Sequence, residues 1–103
     1  MKKIINGKMY NTETAENLVN WDNGYGVSDF EYCEETLYRK KNGEYFLYGT
    51  GNAGSKYAKS IPSSNCYGSG EGFKLLTENE TKHLVEKNAD VEDYIRIFGE
   101  PEE

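Results

Sequence analysis

Apolar and polar positions alternate unevenly along the chain, and the breaks in the pattern are marked by turn residues. Ile4-Ile5 and Met9-Tyr10 flank Asn6-Gly7, a pair whose residues both tolerate positive φ, so the pattern predicts a small hairpin over 3–10. Beyond it Ala15, Leu18 and Val19 recur at i, i+3 and i+4, with Asn11 or Thr12 as cap and Asn23-Gly24 as stop, which predicts an amino-terminal helix carrying Trp21 near its end. A second Asn-Gly pair, Asn42-Gly43, separates Glu35–Lys41 from Glu44–Gly49. A two-residue turn there sets Lys40 against Tyr45, Arg39 against Phe46, Tyr38 against Leu47 and Leu37 against Tyr48. Tyr38, Tyr45 and Leu47 then share one face, and Leu37, Phe46 and Tyr48 the other. Either one face packs on helices while loops half-cover the other, or the second aromatic face is an exposed contact surface.

The next stretch, 49–72, is rich in Gly and Ser, contains Pro62 and is expected to be a long loop with at most one helical turn at Ser55–Lys59. Phe73–Leu76 reads as a last short strand. Thr77-Glu78-Asn79-Glu80 is a capping box opening a helix to about Asn88, and Asp90 caps a second helix. Val91, Tyr94, Ile95 and Phe98 form its apolar stripe, and Gly99 and Pro101 end it. The expected fold is α+β, a single domain over 1–103: a small antiparallel sheet from two Asn-Gly hairpins, one amino-terminal helix, the loop at 49–72, and a short carboxyl-terminal helical pair over 77–98.

Composition bears on whether such a domain has a core. Ile, Leu, Val and Phe number only 19 of 103 residues. Fourteen Phe, Tyr and Trp rings compensate, provided several tyrosines pack as apolar groups. No apolar run approaches the roughly 20 residues that span a bilayer, and the amino terminus has no signal-peptide apolar region. Cys33 and Cys66 form no CxxC pair, and with the single His83 they favour a reduced cytoplasmic setting over a zinc site or a disulfide scaffold.

The net charge of −6 is unevenly placed: residues 1–35 carry seven acids and three lysines, residues 36–60 five bases and one acid, and residues 71–103 ten acids and four bases. General nucleic-acid binding, which needs cations for phosphates, fits this poorly, and contact with a basic protein groove fits it better.

Candidate chemistry is sparse. Gly49-Thr50-Gly51-Asn52-Ala53-Gly54 spells GxGxxG, but no helix and parallel strand follow it as a phosphate site requires, so it reads as a strand leaving the sheet through a glycine-rich loop. Asp29, Glu31, Glu34 and Glu35 cluster without marking a facing pair, Asp29 and Glu31 reading as one face of a charged sheet edge. His83 is expected on the surface, and Cys33 has no base beside it in sequence. Neither an enzyme nor any cofactor or metal is expected. Tyr38-Arg39-Lys40-Lys41 and Lys56-Tyr57-Ala58-Lys59 have the composition of a single-strand binding surface, with ordinary solvation as the alternative. Glu78, Glu80, Glu86, Asp90, Glu92 and Asp93 on the last two helices are candidates for occupying a basic partner groove, joined by Tyr38, Tyr45 and Tyr48 on the hairpin.

The segments Lys3–Ala15, Tyr32–Gly49, Ser55–Ala58 and Leu76–Glu80, in this order, resemble a family of small proteins from plasmids, phages and conjugative elements of Gram-positive bacteria. That family is associated with anti-CRISPR proteins inhibiting type II-A Cas9. The resemblance covers nearly the whole chain and implies a non-catalytic cytoplasmic inhibitor of a bacterial host's effector, Cas9 or its guide-RNA complex, acting by protein contact that obstructs guide RNA or DNA. The shared residues are turn, core and cap positions, so they imply no catalytic site. Two other readings stay open: a nucleic-acid-binding accessory protein of a mobile element using Arg39, Lys40 and Lys41, and a homodimeric interaction module.

Overall fold

The computed structural model describes residues 1–60 and 67–102, with Tyr67 described by its backbone. Pro62 and Cys66 lie outside the described residues, as does part of the expected loop. The chain runs β1 (Lys2–Ile5), β2 (Lys8–Asn11), β3 (Glu16–Asp22), β4 (Cys33–Arg39), β5 (Tyr45–Gly51), β6 (Lys59–Ser60), β7 (Tyr67–Gly68), β8 (Gly70–Leu76), α1 (Glu78–Asn88) and α2 (Val91–Phe98). It is an α+β fold. Strands β3-β4-β5-β8 form a four-stranded antiparallel sheet, and β1-β2 and β6-β7 are separate two-stranded hairpins.

The first hairpin forms where expected, with Asn6 at φ 52° and Gly7 at φ 78°, the two consecutive positive angles of a tight I′ turn. The helix expected next is a strand, β3. Its pairing with β4 runs Asn17 to Tyr38 and then Val19 to Leu37, so Leu18 is an extra residue, a β-bulge. A bulge displaces the alternation by one and turns Leu18 inward together with Trp21, both buried. Inward residues at i and i+3 imitate a helical stripe. The bulge also leaves the Leu18 carbonyl to the Arg96 guanidinium, which donates to it at 2.6 Å and ties α2 to the sheet.

The second hairpin forms too, but one residue out of the expected register. Arg39 pairs with Tyr45, Tyr38 with Phe46, Leu37 with Leu47 and Thr36 with Tyr48. The loop is Lys41-Asn42-Gly43, closed by Lys40 N–H to the Glu44 carbonyl and Gly43 N–H to the Lys40 carbonyl, with Gly43 alone at positive φ, 91°. This is a type I turn ending in a glycine bulge rather than a two-residue turn. A one-residue slip exchanges the faces of one strand against the other. Leu37 and Leu47 therefore lie together, packed with Leu18, Trp21, Val85 and Ile97 beneath the helices. On the opposite face Tyr38 and Phe46 stack at 5.1 Å between ring centres, Phe73 continues the stack, and Tyr10 meets Phe46 edge-on at 5.5 Å. Tyr10, Ile5 and Ala15 from the amino-terminal region cover this face. Truncating a fully buried ring such as Phe46 costs about 3–5 kcal/mol.

The expected long loop is shorter and more structured than its composition suggests. Strand β5 runs on to Gly51, β8 begins at Gly70, and Ser55–Ala58 makes successive turns rather than a helical one. Thr77 and Glu80 form the capping box, α1 ends at Asn88, and Asp90 caps α2, which Gly99 terminates at φ 87°.

A candidate contact site on the glycine-rich segment

The GxGxxG segment does its work inside the sheet. Glu35 on β4, Gly49 on β5 and Gly72 on β8 are directly paired neighbours across the sheet and share one face. The Tyr57 ring lies over this row. A Cβ at position 49 would overlap the ring, and one at 72 would touch it at 3.4 Å. Glycine at 49 is what lets the Tyr57 ring lie over the sheet with its hydroxyl donating to Glu35.

Glu35 is a buried carboxylate, 8% exposed. It accepts hydrogen bonds from Tyr57 and from Trp21 Nε1 at 3.1 Å, and pairs with Lys56 Nζ at 2.9 Å. Burial alone would raise its pKa. The hydrogen bonds from Tyr57, Lys56 and Trp21 outweigh burial and hold the group below the ordinary carboxylate range. The same contact, with burial first, drives the Tyr57 phenol far above its usual pKa. Burial, helped by the Glu35 charge, also pushes the Cys33 thiol up, away from the thiolate form that reacts. With every donor and acceptor engaged, this cluster has the chemistry of a clamp. It fastens residues 52–58 to the sheet. Among the described residues no three His, Cys, Asp or Glu side chains gather to hold a metal ion, and no helix is long and apolar enough to cross a membrane.

The clamped segment in turn holds the connection between β3 and β4. The Asn52 side-chain amide donates to the carbonyls of Val27 at 2.9 Å and Asp29 at 2.7 Å. Its backbone N–H donates to Tyr32, and that of Gly54 to Phe30, both at 2.8 Å. The Asn23 side chain bonds the Glu31 carbonyl at 2.7 Å and accepts from Cys33 N–H, while Asp22 and Asp29 cap their own turns. The backbone of residues 22–33 is thereby pinned at successive points, while the side chains of residues 22–31 are exposed, that of Phe30 resting on one side against Gly54, and Cys33 is buried. Val27 is 75% exposed and Phe30 66%, with Tyr25 beside them. From residue 9 to residue 38 there are seven carboxylates and no Lys, Arg or His. The segment expected to be a charged sheet edge is this loop: Asp29 and Glu31 lie on turns, whereas Glu35 sits in a central strand.

The candidate residues read from the sequence are dispersed and largely engaged. Tyr38 is buried in the aromatic stack. Tyr45 leans on Phe98, and Tyr48 donates to Glu71 at 2.6 Å; burial and that bond push its pKa up to about 12. Glu78 pairs with Lys82, Glu80 serves the capping box, Asp93 pairs with Arg96 and Asp90 caps α2. Glu86 and Glu92 are exposed and make no ion pair among the described residues. In the basic hairpin Arg39 is bound to Glu16 and Lys40 to Glu44, and Lys41 makes no ion pair among the described residues. His83 is exposed. The pinned loop escaped sequence reasoning because its apolar residues, Val27 and Phe30, follow no period. The one available signal was the absence of any cation over residues 9–38.

Comparison with known protein families, with curated proteins and with solved structures finds no match.

Proposed function

We propose that the protein acts by binding a basic protein surface through the pinned loop, and that the partner is a CRISPR effector, a type II-A Cas9 or its guide-RNA complex, held off from guide RNA or DNA. The observation that carries the contact is the exposure of Val27 and Phe30 on a backbone already fixed by Asn52, Gly54 and Asn23. Apolar and aromatic anchors dominate interface energies. A loop ordered before binding loses little entropy on docking, so more of the contact energy remains as affinity. The carboxylates around it favour a positive surface and speed the encounter. The groove of an effector that holds nucleic acid is such a surface. The choice of effector rests on the resemblance of the quoted segments to the mobile-element family.

Purified protein titrated into Cas9 with guide RNA should bind it and suppress cleavage of target DNA. Val27→Ser with Phe30→Ser should weaken inhibition by about tenfold or more, the equivalent of roughly 1.4 kcal/mol, with thermal unfolding little changed because both side chains are largely exposed and Phe30 rests on one side against Gly54 rather than in the core. Cleavage unaffected at large excess of wild-type protein removes the Cas9 assignment. Equal potency of the double variant removes the loop.

A further inference from the structure

Another exposed apolar feature lies near the carboxyl-terminal end of the chain. The sequence predicts one stripe on α2, Val91, Tyr94, Ile95 and Phe98, and the structure divides it. Tyr94 and Phe98 pack inward with buried Ile97, their own rings 5.0 Å apart, whereas Val91 is 71% exposed and Ile95 37%. Val91 and Ile95 stand one helical turn apart and, with Ala89, Pro101 and the half-buried Tyr94, line an open groove of about 350 Å³ between the end of α1 and α2. Glu86 and Asp90 form part of its lining, and Glu92 follows Val91 on the same helix.

Charge decides what such a groove accepts. The nearby cations are committed elsewhere: Arg96 to Asp93 and the Leu18 carbonyl, Lys82 to Glu78, while Lys87 lines a different cleft, beside Trp21. Glu86 and Glu92 have no partner among the described residues. An anionic bilayer or a nucleic acid would meet like charge here. Two aliphatic side chains at i and i+4 with carboxylates beside them are the complement of a helix that carries apolar residues on one face and lysines or arginines next to them.

We propose that the groove between α1 and α2 receives a basic amphipathic helix of a protein partner, whose apolar side chains seat on Val91 and Ile95 and whose cations meet Glu86, Asp90 and Glu92. The inference rests on the reading of this protein as a binder of basic protein surfaces, and it adds a second contact, remote in sequence from the pinned loop.

The test uses the full chain, isotopically labelled for NMR, and three synthetic peptides of about 14 residues, long enough for a helix to be populated. One carries Leu on one face and Lys on the other, the second Leu and Glu, the third Ser and Lys. The Leu/Lys peptide should give saturable shifts centred on Ala89, Val91 and Ile95, and Val91→Ser with Ile95→Ser should weaken binding by about tenfold, or roughly 1.4 kcal/mol. Shifts scattered over all acidic residues, or equal binding of the Ser/Lys peptide, would show charge attraction without a groove and overturn the proposal. Equal binding of the Leu/Glu peptide would remove the role of the carboxylates and overturn it too. The loop variant Val27→Ser with Phe30→Ser should bind the Leu/Lys peptide as the wild type does; if it does not, the site is the loop. Cas9 cleavage left untouched beside a saturable groove titration rejects the effector and keeps the groove, so the two failures are distinct.

Discussion

At the scale of single residues, Tyr57 explains more than any side chain chosen from the sequence. Its ring needs bare backbone at 49, its hydroxyl needs Glu35, and Glu35 needs Trp21 and Lys56 to stay ionised in a buried place. Gly49→Ala should therefore destabilise the protein by about 1–3 kcal/mol, the usual cost of forcing extra volume into a packed site. In a Tyr57→Ala background the same substitution should cost little, because the atoms it strikes are gone. Urea midpoints for the two single variants and the double variant give the coupling. Additive effects would mean that Gly49 is required for another reason. The motif that looked like a phosphate loop is thus a floor for an aromatic ring, and what distinguishes the two is the partner strand, which spacing within GxGxxG does not contain.

Among elements, both hairpins were legible and the register of the second was not. Asn6-Gly7 and Asn42-Gly43 have the same composition, yet the first closes a two-residue turn and the second a three-residue loop in which only Gly43 takes positive φ. The choice between them follows from which register buries Leu37 against Leu47 and stacks Tyr38 on Phe46, an interaction with other strands and with the helices. Gly43→Ala should lower stability by about 1 kcal/mol, since a side chain at that φ is strained, and Gly43→Asn should cost less, Asn being the residue that tolerates the left-handed region best. Thermal midpoints of the two variants separate these outcomes, and equal loss would place the strain elsewhere. Strand β3 was misread for a definite cause: a bulge at Leu18 places apolar residues at helical spacing on an extended chain. The capping box of α1 and the Asp90 cap and Gly99 stop of α2 were legible because each is satisfied by atoms within four residues of itself.

The molecule as a whole is a sheet with a helical pair on one face and a hairpin on the other, and its acid response should follow from the Glu35 clamp on the helix-bearing face. Glu35 has a folded pKa below the ordinary carboxylate value of about 4.3. Its contribution to stability is complete above that value and is lost as pH falls through the folded pKa. Glu35→Gln should accordingly be less stable at neutral pH, by roughly 1–3 kcal/mol for a hydrogen-bonded charged group, and should lose less than the wild type on further acidification. Urea midpoints between pH 7 and pH 3 test the sign, and parallel curves would assign the acid transition to another carboxylate. Tyr48 works in the opposite sense: its pKa near 12 favours the folded state below the ordinary phenol value and yields that advantage as pH rises through 12. Acidic charge is present in both amino- and carboxyl-terminal segments of the chain, and the fold sets exposed apolar groups beside it in two places, the pinned loop and the α2 groove. Val27 and Phe30 follow no period, and the period that marks Val91 and Ile95 does not tell that they face outward. By itself the sequence determined the class of fold, the two turns, the caps of the last helices and the sign of the surface, because each of these depends on local backbone preference or on a sum over residues. Register, the bulge, the burial of Glu35 and the exposure of Phe30 were decided by tertiary structure, since each is a competition among faces, settled by whichever arrangement covers the most apolar surface while leaving no buried polar group unpaired.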